Sequence, residues 1–483
     1  MESNREPGDT ELSEVQGKLD LASAELQAFS SHVDSCQEVL DQLKHERARH
    51  QEAIRLHQSV VSVIRRLPDD IIRLIFLKLI EDTRSRDIMC GAWPSLCSLS
   101  QVSQRWRAVA LSTPSLWANI CVQSNFNNNV SRYLTSVISI CLYRSCDTPL
   151  RVLFELDGRG LSQAPSRAQS AFESLCSNAS RWKHFELRAY GASIMRHCLN
   201  SVRSLSAPTL EHLTLYLTQD DSQETIPFIL NAPALRHVYL INNVVPCPWE
   251  QLTSFRYTSI SSSTDFVEIL PRLSQLRKLD MAIDASTDLA LSLTVLPNLH
   301  TLTFRGRPRQ VHPSPQGLQH LILPALADLK LIDFWDSRLL TVLEQSRCSL
   351  KRFEWKFDYI ALEPFRQLLE VSSTLEEVTL IIVPRMGSSV RELIPLFACR
   401  PDIEVFLPNL RLIDISRSDY EEWPQDGILL TMVESRIAHK KGLVVHLPHV
   451  ELDDVVKQRV DDLQKKGCTL KLIPEDDLEW QPE

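Results

Sequence analysis

The residues best suited to hold a catalytic metal are His45, Glu46 and His50. A zinc-protease helix carries two histidines four residues apart, so that both imidazoles reach one ion while the glutamate acts as the base. Here the second histidine follows the first by five residues, which turns the two side chains about 140° apart around a helix. They cannot share one ion, and we predict no metal site.

Other residue types that carry chemistry are scattered along the chain. The 12 cysteines contain no CxxC pair, and the 12 glycines form neither a GxGxxG loop nor a P-loop. The G-x-S-x-G elbow of serine hydrolases does not occur either. We therefore expect a protein that is not an enzyme and that binds no cofactor. Its cysteines are expected to be reduced and to pack as small apolar side chains.

The overall composition is that of a soluble globular protein with two or three folding units: 483 residues, 43% hydrophobic and 23% charged. The net charge of −9 speaks against a nucleic-acid partner, because such binders carry a basic domain or stripe. The N-terminus has no apolar signal core, and no run of about 18 apolar residues is long enough to cross a membrane. We expect no membrane partner and a location in the cytoplasm, the nucleus or both.

A heptad pattern runs through the first part of the chain, residues 1–66. Apolar or small residues recur at spacings of three and four, which is typical of the a/d seam of a coiled-coil helix. The seam consists of Leu12, Val15, Leu19, Ala22, Leu26, Phe29, Val33, Cys36, Leu40, Leu43, Ile54, Val61 and Ile64. Arg47, His50 and His57 interrupt its second half. A long helix must bury such a stripe, either by self-association in a coiled coil or against its own chain. The remaining alternative is a helix that is partly frayed.

Two strongly apolar helical segments and a turn fill the second part, residues 67–122. Pro68 ends the preceding helix and suits the first turn of a new one. Asp69 and Asp70 would stabilise that turn, because their negative charges lie near the positive end of the helix dipole. This helix is apolar nearly all round, so we expect burial on more than one side. A second apolar helix is predicted through Leu96, Leu99, Val102, Trp106, Val109 and Leu111.

The third part, residues 123–483, contains an internal repeat. Its unit has an apolar residue at i, i+3 and i+5, as in Leu210, Leu213 and Leu215, and ten such units run from Trp182 to Ile415. Most units start about 25 residues apart, which is the period of leucine-rich repeats. Five units share a lead-in with proline two residues before the first leucine, as in Ala207-Pro208-Thr209-Leu210. The repeat predicts short strands, followed by a C-terminal cap.

Three segments together resemble an F-box: Leu67-Pro68-Asp69-Asp70-Ile71-Ile72-Arg73-Leu74-Ile75-Phe76, then residues 100–107, then residues 111–117. In detail the chain is similar to the large F-box families of mushroom-forming fungi, which place a helix before the box and irregular leucine-rich repeats after it. The resemblance covers nearly the whole chain, and the box is its specific part. It implies an α/β solenoid, an irregular leucine-rich-repeat horseshoe, preceded by a small all-α F-box-like module and a long N-terminal helix.

The resemblance also implies partners. Such a box docks on a Skp-type adaptor and through it on a cullin, while the repeats hold a protein substrate that the sequence does not identify. The chain would then be the substrate-recognition subunit of a Skp–cullin–F-box E3 ubiquitin ligase, and it would supply proximity without bond chemistry. The alternative is a non-catalytic scaffold, built from a coiled coil and leucine-rich repeats, that does not act in a ubiquitin ligase.

Carried onto this sequence, the resemblance implies an apolar adaptor-binding surface. Its residues are Leu67, Pro68, Ile71, Ile75, Leu79, Leu99 and Val102. It implies a box core at Trp106, Leu116 and Trp117, and Trp117 would also anchor the box onto the repeats. For Trp106, packing of the helix pair is favoured over a role in binding.

The sequence departs from the family pattern in three places. Residues 81–94 lengthen the connection between the first two box helices. Ser103 stands where the family has cysteine, which would remove one buried small apolar group. The asparagine expected eight residues after each first leucine occurs only at Asn243. Its side chain would normally bond to backbone between turns, so the repeats should be irregular.

Residues at i+4 and i+6 of each repeat point away from the apolar core, onto the open face of the predicted sheet. They mix both charges with tyrosine, a composition that suits a protein partner. The candidate substrate-binding residues are Tyr216, Tyr239, Arg256, Arg305, Lys330, Glu354 and Lys356. A solvated face without a dedicated ligand is the alternative.

Overall fold

The structure is a computed structural model that describes most of the chain. The described residues are 8–61, 63–83, 93–123, 134–157, 166–190, 198, 200–202, 205–216, 227–242, 244–258, 268–282, 292–306, 318–357, 362–382, 393–399, 407–416, 427–438, 442–448 and 454–473. The chain divides into two compact units, Met1–Ile75 and Phe76–Glu483, and the division falls inside one helix. The sequence-based boundaries after residues 66 and 122 stay predictions.

The first unit contains the long helix α1 (Asp9–Val61), a 3₁₀ turn (Val63–Arg66) and the beginning of α2 (Asp69–Thr83). The second unit contains the remainder of α2 and the later helices. These are α3 Trp93–Val102, α4 Gln104–Leu111, α5 Leu134–Arg144, α6 Ser166–Cys176, α7 Pro227–Leu230, α8 Arg338–Ser346, α9 Leu362–Val371, α10 Ile428–Ile437 and α11 Asp454–Lys465. Short 3₁₀ turns lie at Pro114–Leu116, Ala179–Arg181, Trp249–Gln251, Leu270–Arg272, Leu318–His320 and Ile394–Phe397.

The strands of the second unit form one long parallel sheet. They are β1 Asn119–Gln123, β2 Leu150–Asp157, β3 Trp182–Tyr190, β4 His212–Tyr216, β5 His237–Ile241, β6 Ser254–Thr258, β7 Lys278–Ala282, β9 Thr301–Arg305, β11 Asp328–Ile332, β12 Arg352–Phe357, β13 Glu377–Ile382, β14 Leu412–Asp414, β15 Val444–Pro448 and β16 Thr469–Ile473. These fourteen described strands lie side by side in chain order. Two short strands, β8 Thr294–Val295 and β10 Leu321–Ile322, pair separately.

Side chains alternate between the two faces of each strand, and buried residues of neighbouring strands lie level with one another. Leu213 of β4 is level with Val238 of β5, which is level with Phe255 of β6. The same column continues strand by strand to Leu470 of β16. All residues at i, i+3 and i+5 of the ten units are buried. The prediction that these residues form the core of short strands is confirmed.

The shared lead-in forms the same β-turn in each unit that has it. The backbone N–H of Leu210 donates to the carbonyl oxygen of Ala207 at 3.2 Å, across Pro208. Proline suits this position because its ring holds φ near the value that the second residue of a type I or II turn needs. The corresponding bonds join Leu235 to Ala232, Leu299 to Leu296, Leu326 to Leu323 and Leu410 to Leu407. Each turn directs the chain into the following strand.

A second set of backbone hydrogen bonds sets the start of each strand. The carbonyl oxygen of Glu211 accepts from the N–H groups of both Arg236 and His237 in the next unit, at 3.0 Å each. The same bifurcated arrangement recurs at Thr253, which accepts from Arg277 and Lys278. It continues at His300 and Lys351. Successive turns are therefore joined by main-chain bonds that do not depend on side-chain type.

Helix α1 has an exposed surface throughout. All its described side chains are exposed, and apolar ones such as Leu19, Phe29 and Leu43 are 55%, 69% and 58% exposed. The heptad seam is therefore exposed within its own unit, whose described residues are 8–61 and 63–75. Among the described helices, none is long and apolar enough to span a membrane.

Truncation of the core column tests how much the sheet depends on it. Leu279 is fully buried, whereas Leu293 is 65% exposed. We expect Leu279→Ala to lower the free energy of unfolding by about 2–5 kcal/mol, because it leaves a cavity between in-register neighbours. Leu293→Ala should change it by less than about 0.5 kcal/mol. Urea-induced unfolding measures both, and equal effects would contradict the assigned column.

Candidate adaptor-docking site and open face of the sheet

Helix α2 begins at Asp69, directly after Pro68, where the sequence predicts a helix start. The backbone N–H groups of Ile71 and Ile72 both donate to the carbonyl oxygen of Pro68, at 3.1 Å. Pro68 has no N–H of its own that would need a partner at a helix start. Asp69 and Asp70 lie in the first turn, where carboxylates stabilise the positive end of the dipole. Local sequence therefore sets where α2 starts.

Helix α2 has a buried row, and other apolar side chains of the helix are exposed. The buried row, with 3% exposure or less, consists of Ile72, Phe76 and Ile80. The exposed apolar side chains are Ile71, Leu74 and Leu79, which are 42%, 60% and 43% exposed. The expectation of burial on more than one side is therefore wrong for the isolated chain. The helix leaves apolar side chains exposed that a partner could cover.

The other predicted adaptor-binding residues differ in exposure. Pro68 is exposed, and Leu67 and Ile75 are partly buried. Leu99 of α3 is only 9% exposed, whereas Val102 at the end of α3 is 60% exposed. Leu99 thus lies in the core of the unbound chain, and Val102 presents an apolar side chain to solvent.

The second apolar helix predicted from the sequence is in fact two helices. Ser103, between α3 and α4, has extended backbone, with φ −158° and ψ 164°. Its hydroxyl accepts a hydrogen bond from the backbone N–H of Trp106 at 3.1 Å and so caps α4. Serine competes with helix continuation in this way, which explains why the single-helix prediction was wrong. Because Ser103 is exposed, the inference that it removes a buried apolar group was also wrong.

Two other departures from the family pattern cannot be placed. Most of the predicted long connection, residues 84–92 of 81–94, lies outside the described residues. Asn243 also lies outside them.

The predicted box-core residues join several helices. Trp106 is partly buried and meets the ring of Phe76 edge to face, with 5.0 Å between the ring centroids. Leu116 and Trp117 are 0% and 3% exposed. The indole N–H of Trp117 donates to the carbonyl oxygen of Ala110 at 2.8 Å. Each tryptophan is held by a specific contact as well as by burial.

Trp117 and the strand after it connect the box to the sheet. The guanidinium carbon of Arg144, the last residue of α5, lies 4.4 Å from the centre of the Trp117 ring. β1 then pairs with β2, so that Asn119 is level with Arg151. Leu116 also lines a cavity of about 20 Å³ together with Ile138 of α5. The end of the box therefore shares hydrogen bonds and core packing with the beginning of the sheet.

Arginine and tyrosine side chains form a ladder across β3 to β6 on the open face. Arg188 lies 4.6 Å over the ring of Tyr216, and Arg256 lies 4.5 Å over the ring of Tyr239. The two tyrosine rings meet edge-on at 6.0 Å. Cation–π contacts at such partly exposed sites contribute about 0.5–1 kcal/mol each. Three predicted substrate-face residues, Tyr216, Tyr239 and Arg256, are thus brought together, with Arg188 as a further member.

Asp280 of β7 holds the end of this ladder. It is 4% exposed, and both its carboxylate oxygens accept hydrogen bonds from Arg305, at 2.9 Å each. Its Oδ2 also lies 3.4 Å from Nε of Arg256. A bidentate arginine–carboxylate pair fixes both distance and orientation. One carboxylate therefore positions two of the predicted arginines.

The remaining candidates of the substrate face lie farther along the sheet. Lys330 of β11 and Glu354 of β12 form an ion pair with 3.0 Å between Nζ and Oε2. Thr303, which is 2% exposed, stands level between Asp280 and Lys330. Lys356 is partly buried on β12. The structure thus divides the predicted face into the Arg–Tyr ladder and a separate charged group.

A column of three histidines was missed by the sequence reasoning. His184, His212 and His237 lie level in β3, β4 and β5. Their rings stack with centroid distances of 4.0 and 4.1 Å. Burial, together with the adjacent His184 and His237, lowers the pKa of His212 to about 3. All three occupy i+2 of their repeats, so an alignment of the repeats would have shown the column.

The buried thiols are not activated for chemistry. Burial raises the pKa of Cys176 and of Cys198 to about 12, and that of Cys468 to about 11. They are protonated at neutral pH, and the thiol form is a poor nucleophile and metal ligand. Within the described part of the chain, no group of three or more His, Cys, Asp or Glu side chains could hold a metal ion.

Taken together, these features define a protein in which a small helical module precedes and joins a long parallel sheet. Residues 64–123 match the family model described as F-box-like. The chain therefore carries an F-box-like domain, and this match supports the interpretation that it is an F-box protein. The matched range differs by three residues at its start and one at its end from the box predicted over residues 67–122. No curated protein matches the chain.

The cap on α4 gives a direct test of the two-helix structure. Ser103→Ala removes the acceptor for the N–H of Trp106, and we expect a loss of about 1 kcal/mol in the free energy of unfolding. Ser103→Asn should retain most of the stability, because asparagine also caps helices. Chemical unfolding of the wild type and the two variants measures these changes in the free energy of unfolding. A continuous helix through Ser103 would instead be stabilised by alanine.

The histidine column predicts loss of stability in acid. As pH falls, His212 binds a proton in the unfolded state near pH 6.5 but in the folded state only near pH 3. Stability therefore falls as pH decreases through this window. We expect His212 to account for roughly 1 kcal/mol between pH 7 and pH 5, about half the full linkage, because the ring is partly solvated. Urea unfolding of His212→Gln should show a shallower pH dependence than wild type; an unchanged slope would contradict the prediction.

Proposed function

We propose that the chain is the substrate-recognition subunit of a Skp–cullin–F-box E3 ubiquitin ligase. The observation that carries the proposal is the exposure of apolar side chains of α2, Ile71 and Leu74 above all, inside the domain matched as F-box-like. F-box domains generally bind Skp-type adaptors. Apolar side chains that the chain leaves in water are what such an adaptor would cover.

The exposed apolar side chains of α2 supply a driving force for docking. Ile71, Leu74 and Leu79 are each about half exposed. Covering what remains exposed of each side chain would contribute about 1 kcal/mol, in proportion to the apolar area removed from water. Val102, on α3, is a further exposed apolar residue of the same domain. Leu74, which the sequence analysis did not select, belongs to this surface, and Leu99 would support it from the core.

The open face of the sheet is the proposed substrate surface. In the Arg–Tyr ladder, the side chains of Tyr216, Tyr239 and Arg256 are already held by one another and by Asp280. Side chains that are ordered before binding lose less conformational entropy when a partner docks. Tyrosine and arginine are also enriched among the residues that dominate binding energy in protein interfaces. These properties favour a folded protein or a peptide as substrate.

The role requires no catalytic group in this chain. The adaptor would connect the box to a cullin, and ubiquitin would be transferred by another enzyme to a lysine of the bound substrate. The contribution of this chain is the high effective concentration of that lysine. We further propose that the sheet is built from irregular leucine-rich repeats, as in the fungal F-box families that the sequence resembles. The cytoplasm, the nucleus or both would be its location.

A scaffold outside any ligase is the second candidate. The feature that favours it is α1, a helix of 53 residues whose apolar side chains are open to a partner. Both candidates require binding surfaces, so the fold does not separate them. They differ in whether a cullin is recruited together with the adaptor.

Co-purification with the adaptor tests the proposal. We expect the wild-type chain to retain a Skp-type adaptor and a cullin, and Ile71→Glu/Leu74→Glu to lose them. Two carboxylates in an apolar contact would weaken adaptor binding on the order of 100-fold, about 3 kcal/mol. The affinity for purified adaptor, measured by calorimetry, gives the magnitude.

The matched control is Leu293→Glu/Val455→Glu. These residues are 65% and 73% exposed and lie outside the F-box-like domain, so adaptor binding should be unchanged. A wild type that retains no adaptor would overturn the proposal, as would a docking variant that binds like the control. Adaptor binding without any cullin would favour the scaffold.

A further inference from the structure

The exposed stripe of α1 follows an unbroken heptad seam from Leu12 to Leu43. The seam consists of Leu12, Leu19, Leu26, Val33 and Leu40 at the a positions and Val15, Ala22, Phe29, Cys36 and Leu43 at the d positions. None of these ten side chains is charged. Each is exposed, and the eight larger aliphatic and aromatic ones are 47–69% exposed.

An isolated helix of this kind lacks the packing that would stabilise it. Most of the stability of a helix in a protein comes from packing an apolar face, and intrinsic propensity alone leaves an isolated helix marginal. Within its own unit, the described residues 8–61 and 63–75 leave the seam of α1 exposed. Helix α1 also contains Gly17, which lowers its intrinsic helix propensity further. A partner helix would supply the missing packing.

The area that pairing would cover is sufficient for a stable dimer. Covering the exposed parts of the seam on two helices would remove on the order of 1,000–1,500 Å² from water, by the usual relation between side-chain burial and area. Stable protein interfaces begin at about 1,200 Å² in total. The seam from Leu12 to Leu43 therefore reaches the size that self-association needs.

The residues that flank the seam allow pairing with an identical helix. A seam that selects a different helix carries flanking charges of one sign, which repel a second copy. In two parallel copies of α1, each charged flanking residue would face an uncharged one. Glu11 would face Gln16, Lys18 would face Ser23, Glu25 would face Ser30, and Lys44 would face Val39. No like charges meet within the seam.

We infer that α1 pairs with a second copy of this chain, through the Leu12–Leu43 seam, to form a coiled-coil dimer. The inference concerns a surface outside the F-box-like domain and does not rest on adaptor binding. The interrupted part, with Arg47, His50 and His57, lies beyond the seam. It would contribute less, because charged or polar a and d residues weaken a coiled coil.

Sedimentation equilibrium of the full chain tests the inference. At micromolar concentration the wild type should sediment at twice the chain mass of 55.2 kDa. Leu26→Glu/Leu40→Glu should sediment as a monomer, with dimer affinity reduced at least about 100-fold. Leu26→Ala/Leu40→Ala should also weaken the dimer, and alanine preserves helix propensity, so this variant separates lost pairing from lost helix.

The chain offers a matched control on the same helix. Leu21 and Leu56 are 65% and 54% exposed and lie off the seam, so Leu21→Glu/Leu56→Glu should remain dimeric. A wild type that stays monomeric at micromolar concentration would overturn the inference. So would seam variants that dimerise like wild type, or a control that dissociates as fully as they do.

Discussion

The main-chain hydrogen bonds between successive turns are the interaction on which the sheet depends. At the start of a strand, one carbonyl oxygen accepts from two consecutive N–H groups of the next repeat, as Glu211 does from Arg236 and His237. These bonds set the register, and a shift by one residue would turn every buried side chain to the open face. The proline in the preceding turn favours the geometry without specifying any side-chain contact.

The same register decides the chemistry of the open face. Level strands bring the same repeat position of each unit into one row, and so they stack His212 between His184 and His237. They also place Arg305 beside Asp280, across two neighbouring strands. Surface ion pairs contribute little alone. A buried carboxylate that holds two arginines instead orders a surface in advance, which matters more for binding than for stability.

The F-box-like domain is continuous with this sheet, because its last strand is the first strand of the sheet. Trp117 reinforces the connection through its hydrogen bond to Ala110 and the guanidinium of Arg144 above its ring. The domain keeps one row of α2 for its own core and leaves other apolar side chains of this helix exposed.

The sequence by itself determined the features whose signals are local. Proline and the two aspartates set the start of α2 after Pro68, and apolar spacing predicted the strand repeat. The resemblance of three segments predicted the box over residues 67–122, which the F-box-like match at residues 64–123 covers. The tertiary structure decided the rest. Ser103 is compatible with a helix interior or with a cap, and only the structure shows that it caps α4. The apolar side chains of α2 are similar in type, and only tertiary packing decides which of them are buried. The pairing of Asp280 with Arg305 depends on strand register, and register is a property of neighbouring repeats that no single segment encodes.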